Sequence, residues 1–267
     1  MINQNWALTA AHVVDDAATL TFYLGNSSRE AISWRHHQKW DGDLGMGYDI
    51  GLIQFAALGE NASAVATADL FDQRDEIGRT GTAVGFGLTG TGTDGYDKNS
   101  DLVKRAGDNI VDMFLRTSGK ESRVLLSDFD DWNNPDESLW GDKSPLDLEY
   151  LIAPGDSGGG LFTEIDGQHF LMGINSFGLG YDGAADSDYG DASGHTRVSS
   201  FIGWINDIIG GGSSSDGGGK DKDKGGRGGG KPNLVAMTVE IPEPGTLALF
   251  SLGLVGIGFA RRRRGRT

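Results

Sequence analysis

The stretch whose reading decides the fold is Pro154-Gly155-Asp156-Ser157-Gly158-Gly159-Gly160, which sets a hydroxyl among small residues at a tight turn. Serine by itself is a weak nucleophile. It needs a base to take its proton, and donors already aimed at the oxyanion that its attack produces. Those requirements predict a histidine and an acid elsewhere in the chain. Leu8-Thr9-Ala10-Ala11-His12-Val13-Val14 supplies the first, and Tyr48-Asp49-Ile50-Gly51-Leu52-Ile53-Gln54-Phe55 places an acid at the mouth of an apolar strand. Burying Asp49 there is costly unless it is paired, and an imidazole N–H of His12 would serve. As a phosphate cradle the glycine run lacks the lysine and the strand-to-helix context of a P-loop.

In the chain order histidine, aspartate, serine, these three stretches resemble the trypsin/chymotrypsin-like serine proteases. The hydrolase elbow G-x-S-x-G fits residues 155–159 only loosely, because there the serine comes first. The resemblance covers about residues 5–209. It implies an all-β fold of two antiparallel six-stranded β-barrels with a closing C-terminal helix. Residues 1–72 would form the first barrel, incomplete here, residues 73–198 the second, and residues 199–209 the helix. It also implies roles: Ser157 as nucleophile, His12 as base, Asp49 as the acid that orients it, and the amides of Gly155 and Ser157 as the oxyanion hole. Ser176 and Gly178, in the strand Gly173–Gly178, would line and pair with a polypeptide substrate. Leu151 takes the place of the pocket aspartate of trypsin itself, which argues against simple Arg/Lys preference and for an apolar or small side chain. Asp156 would receive a freed N-terminal ammonium. Few residues precede His12, so a truncated N-terminus lacking upstream strands and a signal peptide is expected. The implied activity is that of a serine endopeptidase, with an inactive surface binding protein on the same fold and an envelope serine esterase as the alternatives.

Composition sets the bounds. The chain has 267 residues, no cysteine and a formal charge of -15. Ten Lys/Arg and five Asp/Glu follow Gly210, which leaves 13 Lys/Arg against 33 Asp/Glu in the preceding part. So acidic a body repels nucleic acid and favours solubility. Without thiols there is neither a disulfide framework nor a thiolate metal site.

Between the three stretches, Val13-Val14, Thr19–Leu24 and Glu30–Trp34 read as strands, Asn61–Asp72 as a connector, and Leu88–Asn99 as a flexible loop. Gly81–Gly87, Lys104–Val111 and Arg123–Leu126 carry further strand patterns. Phe201, Trp204, Ile205 and Ile208 recur at helical spacing and Gly210 follows as a stop. His36 and His37 read as surface residues, and His169 and His195 as structural. In the acidic insertion Ser127–Asp147, Asp128, Asp130, Asp131, Asp136 and Glu137 could offer oxygen ligands to calcium, but the spacing is not that of an EF-hand, and a solvated loop is the preferred reading. No metal or other cofactor is required.

Residues 210–233 are glycine, serine and charge, a disordered linker. Residues 234–267 contain Pro242-Glu243-Pro244, then an apolar stretch at 245–260 and the arginines 261–264. This resembles the PEP-CTERM sorting signal, which implies processing by an exosortase-type enzyme. The arginine border predicts a short transmembrane helix at 245–260 with the body outside. Together these features predict a monomer that is exported to the cell envelope or beyond and held, transiently or permanently, by its C-terminal helix.

Overall fold

The computed structural model describes residues 1–24, 27–56, 65–115, 122–136, 138, 140–210 and 235–236. Short alternating segments punctuated by glycine build an all-β architecture. β1 (Trp6–Thr9), β2 (Thr21–Leu24), β3 (Ser27–His36) and β4 (Gly51–Phe55) make a four-stranded antiparallel sheet in the order β1-β4-β3-β2. β5 (Asp69–Leu70) and β6 (Thr80–Gly85) follow, and β7 (Thr89–Thr91) pairs with β8 (Gly95–Asp97) as a separate hairpin.

β9 (Arg105–Ile110), β10 (Met113–Phe114), β11 (Val124–Asp128), β12 (Gly160–Ile165), β13 (Gln168–Gly180) and β14 (Ala192–Arg197) complete a second sheet with β6. Its path is β10-β11-β14-β13-β12-β6-β9, and β5 and β15 (Val235–Ala236) add to β13. Only Val111 and Asp112 separate β9 from β10. Both ends of the path therefore lie on one stretch of chain, and the sheet curls back on itself.

Three differences from the sequence reading have physical causes. Val13-Val14 belongs to a short helix, α1 (Ala11–Val14), because the small residues Ala10 and Ala11, both 0% exposed, turn the chain where β1 ends. Leu88–Asn99 is no plain loop, since Gly95 at φ 68° closes the β7–β8 hairpin. The C-terminal helix begins with a 3-10 turn, Val198–Ser200, before α2 (Ile202–Ile209). The linker, the 245–260 span and Pro242-Glu243-Pro244 lie outside the described residues. Among the described residues no helix is long and apolar enough to cross a membrane.

One core joins both sheets to α2, with Leu8, Ile50 and Leu52 from the first sheet meeting Ile174 from β13 and Phe201, Trp204 and Ile205 from the C-terminal turn. A second fills the interior of the curled sheet with Phe71, Ala83, Val111, Leu125, Leu161 and Met172. His37 belongs to the first region. It is 4% exposed and not a surface residue, because Tyr48 stacks on it at 5.0 Å and the rings of Phe201 and Trp204 cover it. His36 stays at the surface, its Nε2 3.1 Å from Asp15 Oδ1.

Candidate active site

His12 stands on α1, directly after the turn that ends β1, and Asp49 lies two residues before β4, the strand that pairs with β1. That pairing brings the two together. The His12 backbone N–H donates to Asp49 Oδ1 at 2.9 Å, and ring Nδ1 lies 2.7 Å from Asp49 Oδ2. Asp49 is 0% exposed, so its polar atoms must find their partners within the protein. The second sheet supplies two more. Ser176 Oγ donates to Asp49 Oδ2 at 2.5 Å, and Thr196 Oγ1 donates to the Asp49 carbonyl at 2.8 Å. Ser176 can reach because β13 carries a bulge there: Asn175 pairs with His195 and Phe177 with Gly194, which leaves Ser176 as the extra residue.

Ser157 is half-buried in a turn that packs against the His12 segment. Gly158, at φ 77°, sits so close to β1 that a Cβ would come 2.3 Å from Thr9 Oγ1 and 3.4 Å from the Ala10 nitrogen. Only glycine allows both that backbone and that approach. The preceding Asp156 is buried, and backbone amides hold its carboxylate. Gly87 N donates to Oδ1 at 2.7 Å and Ala153 N to Oδ2 at 2.9 Å. Burial pushes the Asp156 carboxyl up, and the amides of Ala153, Gly87 and Phe86 oppose that shift. The two main-chain donors, Gly87 N and Ala153 N, hold the Asp156 carboxylate in this structure. The segment Gly85-Phe86-Gly87 at the end of β6 serves as the cradle, since a Cβ at 85 would lie 1.7 Å from Asp156 Oδ1.

Leu151 is buried at 8% exposure. Its neighbour Ile152 donates its N–H to Ser193 Oγ at 3.0 Å, and Ser193 pairs with Gly178 across β14 and β13. The structure thus brings the Leu151 segment beside the Ser176–Gly178 strand. A cavity of about 200 Å³ is lined by Gly87, Tyr96, Glu149, Leu151, Ala153 and Asp156. Neither His12 nor Ser157 lines it. Burial pushes the Glu149 carboxyl there up to about 7.

The acidic insertion is less solvated than its sequence implies. Asp128 is 1% and Asp130 6% exposed, because the end of β11 carries them inward. Asp128 Oδ2 accepts from Trp140 N at 3.1 Å, and Asp131 Oδ1 from Asn133 N at 2.9 Å. Asp136 is exposed and Glu137 lies outside the described residues. Among the described residues carboxylate oxygens converge to within 4.8 Å on another loop, at Asp186, Asp188 and Asp191. Burial and mutual repulsion push Asp188 and Asp191 up to about 6.

Sequence reasoning missed Thr196, Asn175 and the Gly85/Gly87 cradle. The glycine spacing was visible, but nothing in it named Asp156 as its occupant.

Residues 1–119 match the trypsin family model, and residues 240–264 match the PEP-CTERM protein-sorting motif. Among curated proteins the chain is similar to chymotrypsin-like elastase family member 1 of Canis lupus familiaris, 26% identical over 233 residues, covering 78% of this chain and 79% of that protein. The Bos taurus protein of the same name is 26% identical over 239 residues, 78% of this chain and 77% of its own. The likeness to the trypsin family thus falls on residues 1–119, and a PEP-CTERM protein-sorting motif lies at residues 240–264.

Proposed function

We propose that this chain is a serine endopeptidase, exported and sorted at its C-terminus to the cell envelope. Ser157 attacks the peptide carbonyl carbon while His12 takes the hydroxyl proton. The amides of Gly155 and Ser157 receive the oxyanion. His12 then gives its proton to the leaving amine, and water attacks the acyl-enzyme by the same route in reverse. Asp49 holds the ring in the tautomer whose Nδ1 donates, and it stabilises the imidazolium. One observation carries the reading: Asp49 is sealed from water and bonded both to His12 and to Ser176, so two sheets converge on one carboxylate.

Within this reading residues 1–209 are the protease domain, with the curled second sheet as its second barrel, 210–233 the linker and 234–267 the sorting signal. Leu151 as pocket base favours apolar or small side chains, in keeping with the named elastase relatives. Pro242, Glu243 and Pro244 are the sorting element for an exosortase-type enzyme, and 245–260 the transient membrane segment. The enzyme works as a monomer and needs no cofactor, since side chains and backbone amides supply every step above.

The test is labelling by a fluorophosphonate probe together with casein hydrolysis, on the parent and on Ser157→Ala. Both activities are expected in the parent and absent from the folded variant. Turnover that survives Ser157→Ala would overturn the assignment, and hydrolysis of a short ester without casein would make it an esterase.

A further inference from the structure

Asn175 and His195 face each other from β13 and β14 and are 0% and 1% exposed. Two polar side chains in a strand core are tolerated only where their groups find partners. Asn175 Nδ2 lies 3.2 Å from the Asp156 carbonyl and 3.5 Å from that of Val84. An amide nitrogen only donates, so it must face these carbonyls, and Oδ1 must face His195 Nδ1 at 3.1 Å. His195 Nδ1 therefore carries the hydrogen. Burial pushes the His195 pKa down to about 3, so the ring stays neutral and its tautomer is set by Asn175.

The main chain of Asn175 grips the same turn. Gly158 N donates to the Asn175 carbonyl at 2.9 Å, and Asn175 N donates to the Gly159 carbonyl at 2.9 Å. Gly159 has no Cβ because one would come 2.9 Å from Asn175 Nδ2 and 3.0 Å from the Asp156 carbonyl. A single residue thus bonds to the turn on both sides of Ser157.

Peptide planarity turns this into a statement about chemistry. The Asp156 carbonyl and the Ser157 N–H belong to one trans peptide unit and point in opposite directions. A donor that fixes the carbonyl also aims the N–H.

We propose that Asn175, held in orientation by His195, is a positioning residue that aims the Ser157 N–H into the oxyanion hole by anchoring the Asp156 carbonyl. The role rests on the serine-hydrolase reading, whereas the anchoring itself does not. Asn175→Leu keeps the volume and removes the donor. His195→Phe removes only the group that orients Asn175, and His195→Gln keeps a side-chain N–H there.

The experiment compares the parent, these three variants and the double variant Asn175→Leu/His195→Phe by hydrogen exchange over residues 155–159, fluorophosphonate labelling rate, and kcat and KM on a peptide. Asn175→Leu is expected to speed exchange of the turn and lower kcat about 10- to 100-fold, with KM changed less than about twofold. His195→Phe should lose less, and His195→Gln should recover most of that loss. The double variant should match Asn175→Leu, because His195 acts through Asn175. Parent-like exchange and rates in Asn175→Leu would overturn the proposal, as would losses that multiply in the double variant. If the parent neither labels nor hydrolyses, the serine-hydrolase reading fails, while the exchange comparison still decides the anchor.

Discussion

Arg197 and Glu76 meet out of reach of water, with guanidinium Nε 2.8 Å from Oε1, a terminal nitrogen 2.9 Å from Oε2, and both side chains 0% exposed. Ser199 Oγ donates to Glu76 Oε1 at 2.6 Å, and the guanidinium lies 4.4 Å from the Phe114 ring centroid. Glu76 lies between β5 and β6, while Arg197 ends β14 beside Thr196. The pair therefore ties the β5–β6 segment to the strand that holds the Asp49 carbonyl. Removing one partner strands the other charge, so Glu76→Ala should cost about 3–5 kcal/mol in urea unfolding. The double change Glu76→Leu/Arg197→Met should cost much less. An equal loss in single and double variants would show that the charges are not what matters there.

The His12–Asp49 contact makes a kinetic prediction. Asparagine at 49 can donate to Nδ1 and so stabilise the wrong tautomer for a base. Asp49→Asn should lower kcat about 10⁴-fold with little change in melting temperature. Ser176→Ala removes one donor to the Asp49 carboxylate and leaves the tautomer alone, so its loss should be near tenfold. Steady-state kinetics beside circular dichroism melts separate the two effects.

The Asp156 cradle makes a steric one. A methyl at Gly87 would stand 2.6 Å from both Cγ and Oδ2 of Asp156. Gly87→Ala should displace Asp156 and its turn, cutting the fluorophosphonate labelling rate at least about tenfold and stability by about 1–3 kcal/mol. Gly203→Ala is the control. That glycine lies in α2 with nothing within 4 Å of a Cβ, so the change should be neutral or stabilising by up to about 1 kcal/mol.

What the sequence made legible follows from how local each signal is. The strand alternation, the turn glycines and the motifs around His12, Asp49 and Ser157 are written within a few adjacent residues. Asn175 sits inside the marked strand Gly173–Gly178, next to Ser176, but its use depends on Asp156 and His195 meeting it in space. His37 misled for a similar reason. Its neighbours read as a polar strand end, and the rings that bury it, Phe201 and Trp204, arrive from the far end of the domain. Asp128 and Asp130 looked like solvated loop residues because nothing local shows that β11 runs on to Asp128.

Asp112 gives a pH dependence opposite to the usual carboxylate. Burial first, then a hydrogen bond and repulsion from Asp128, push its carboxyl from 3.8 up to about 9. Between those values the folded protein keeps a proton that the unfolded chain has released, so the unfolded state binds fewer protons and stability falls as pH rises. The destabilisation is absent below about pH 4 and complete above about pH 9. Asp112→Asn supplies a permanent donor towards Asp128 without a proton to lose. Its melting temperature should match the parent's near pH 4 and exceed it by a margin that widens steadily to pH 9. A constant offset across that range would show that Asp112 ionises normally, and a variant less stable at pH 9 would show that the Asp112 carboxylate, not its protonated form, holds the insertion.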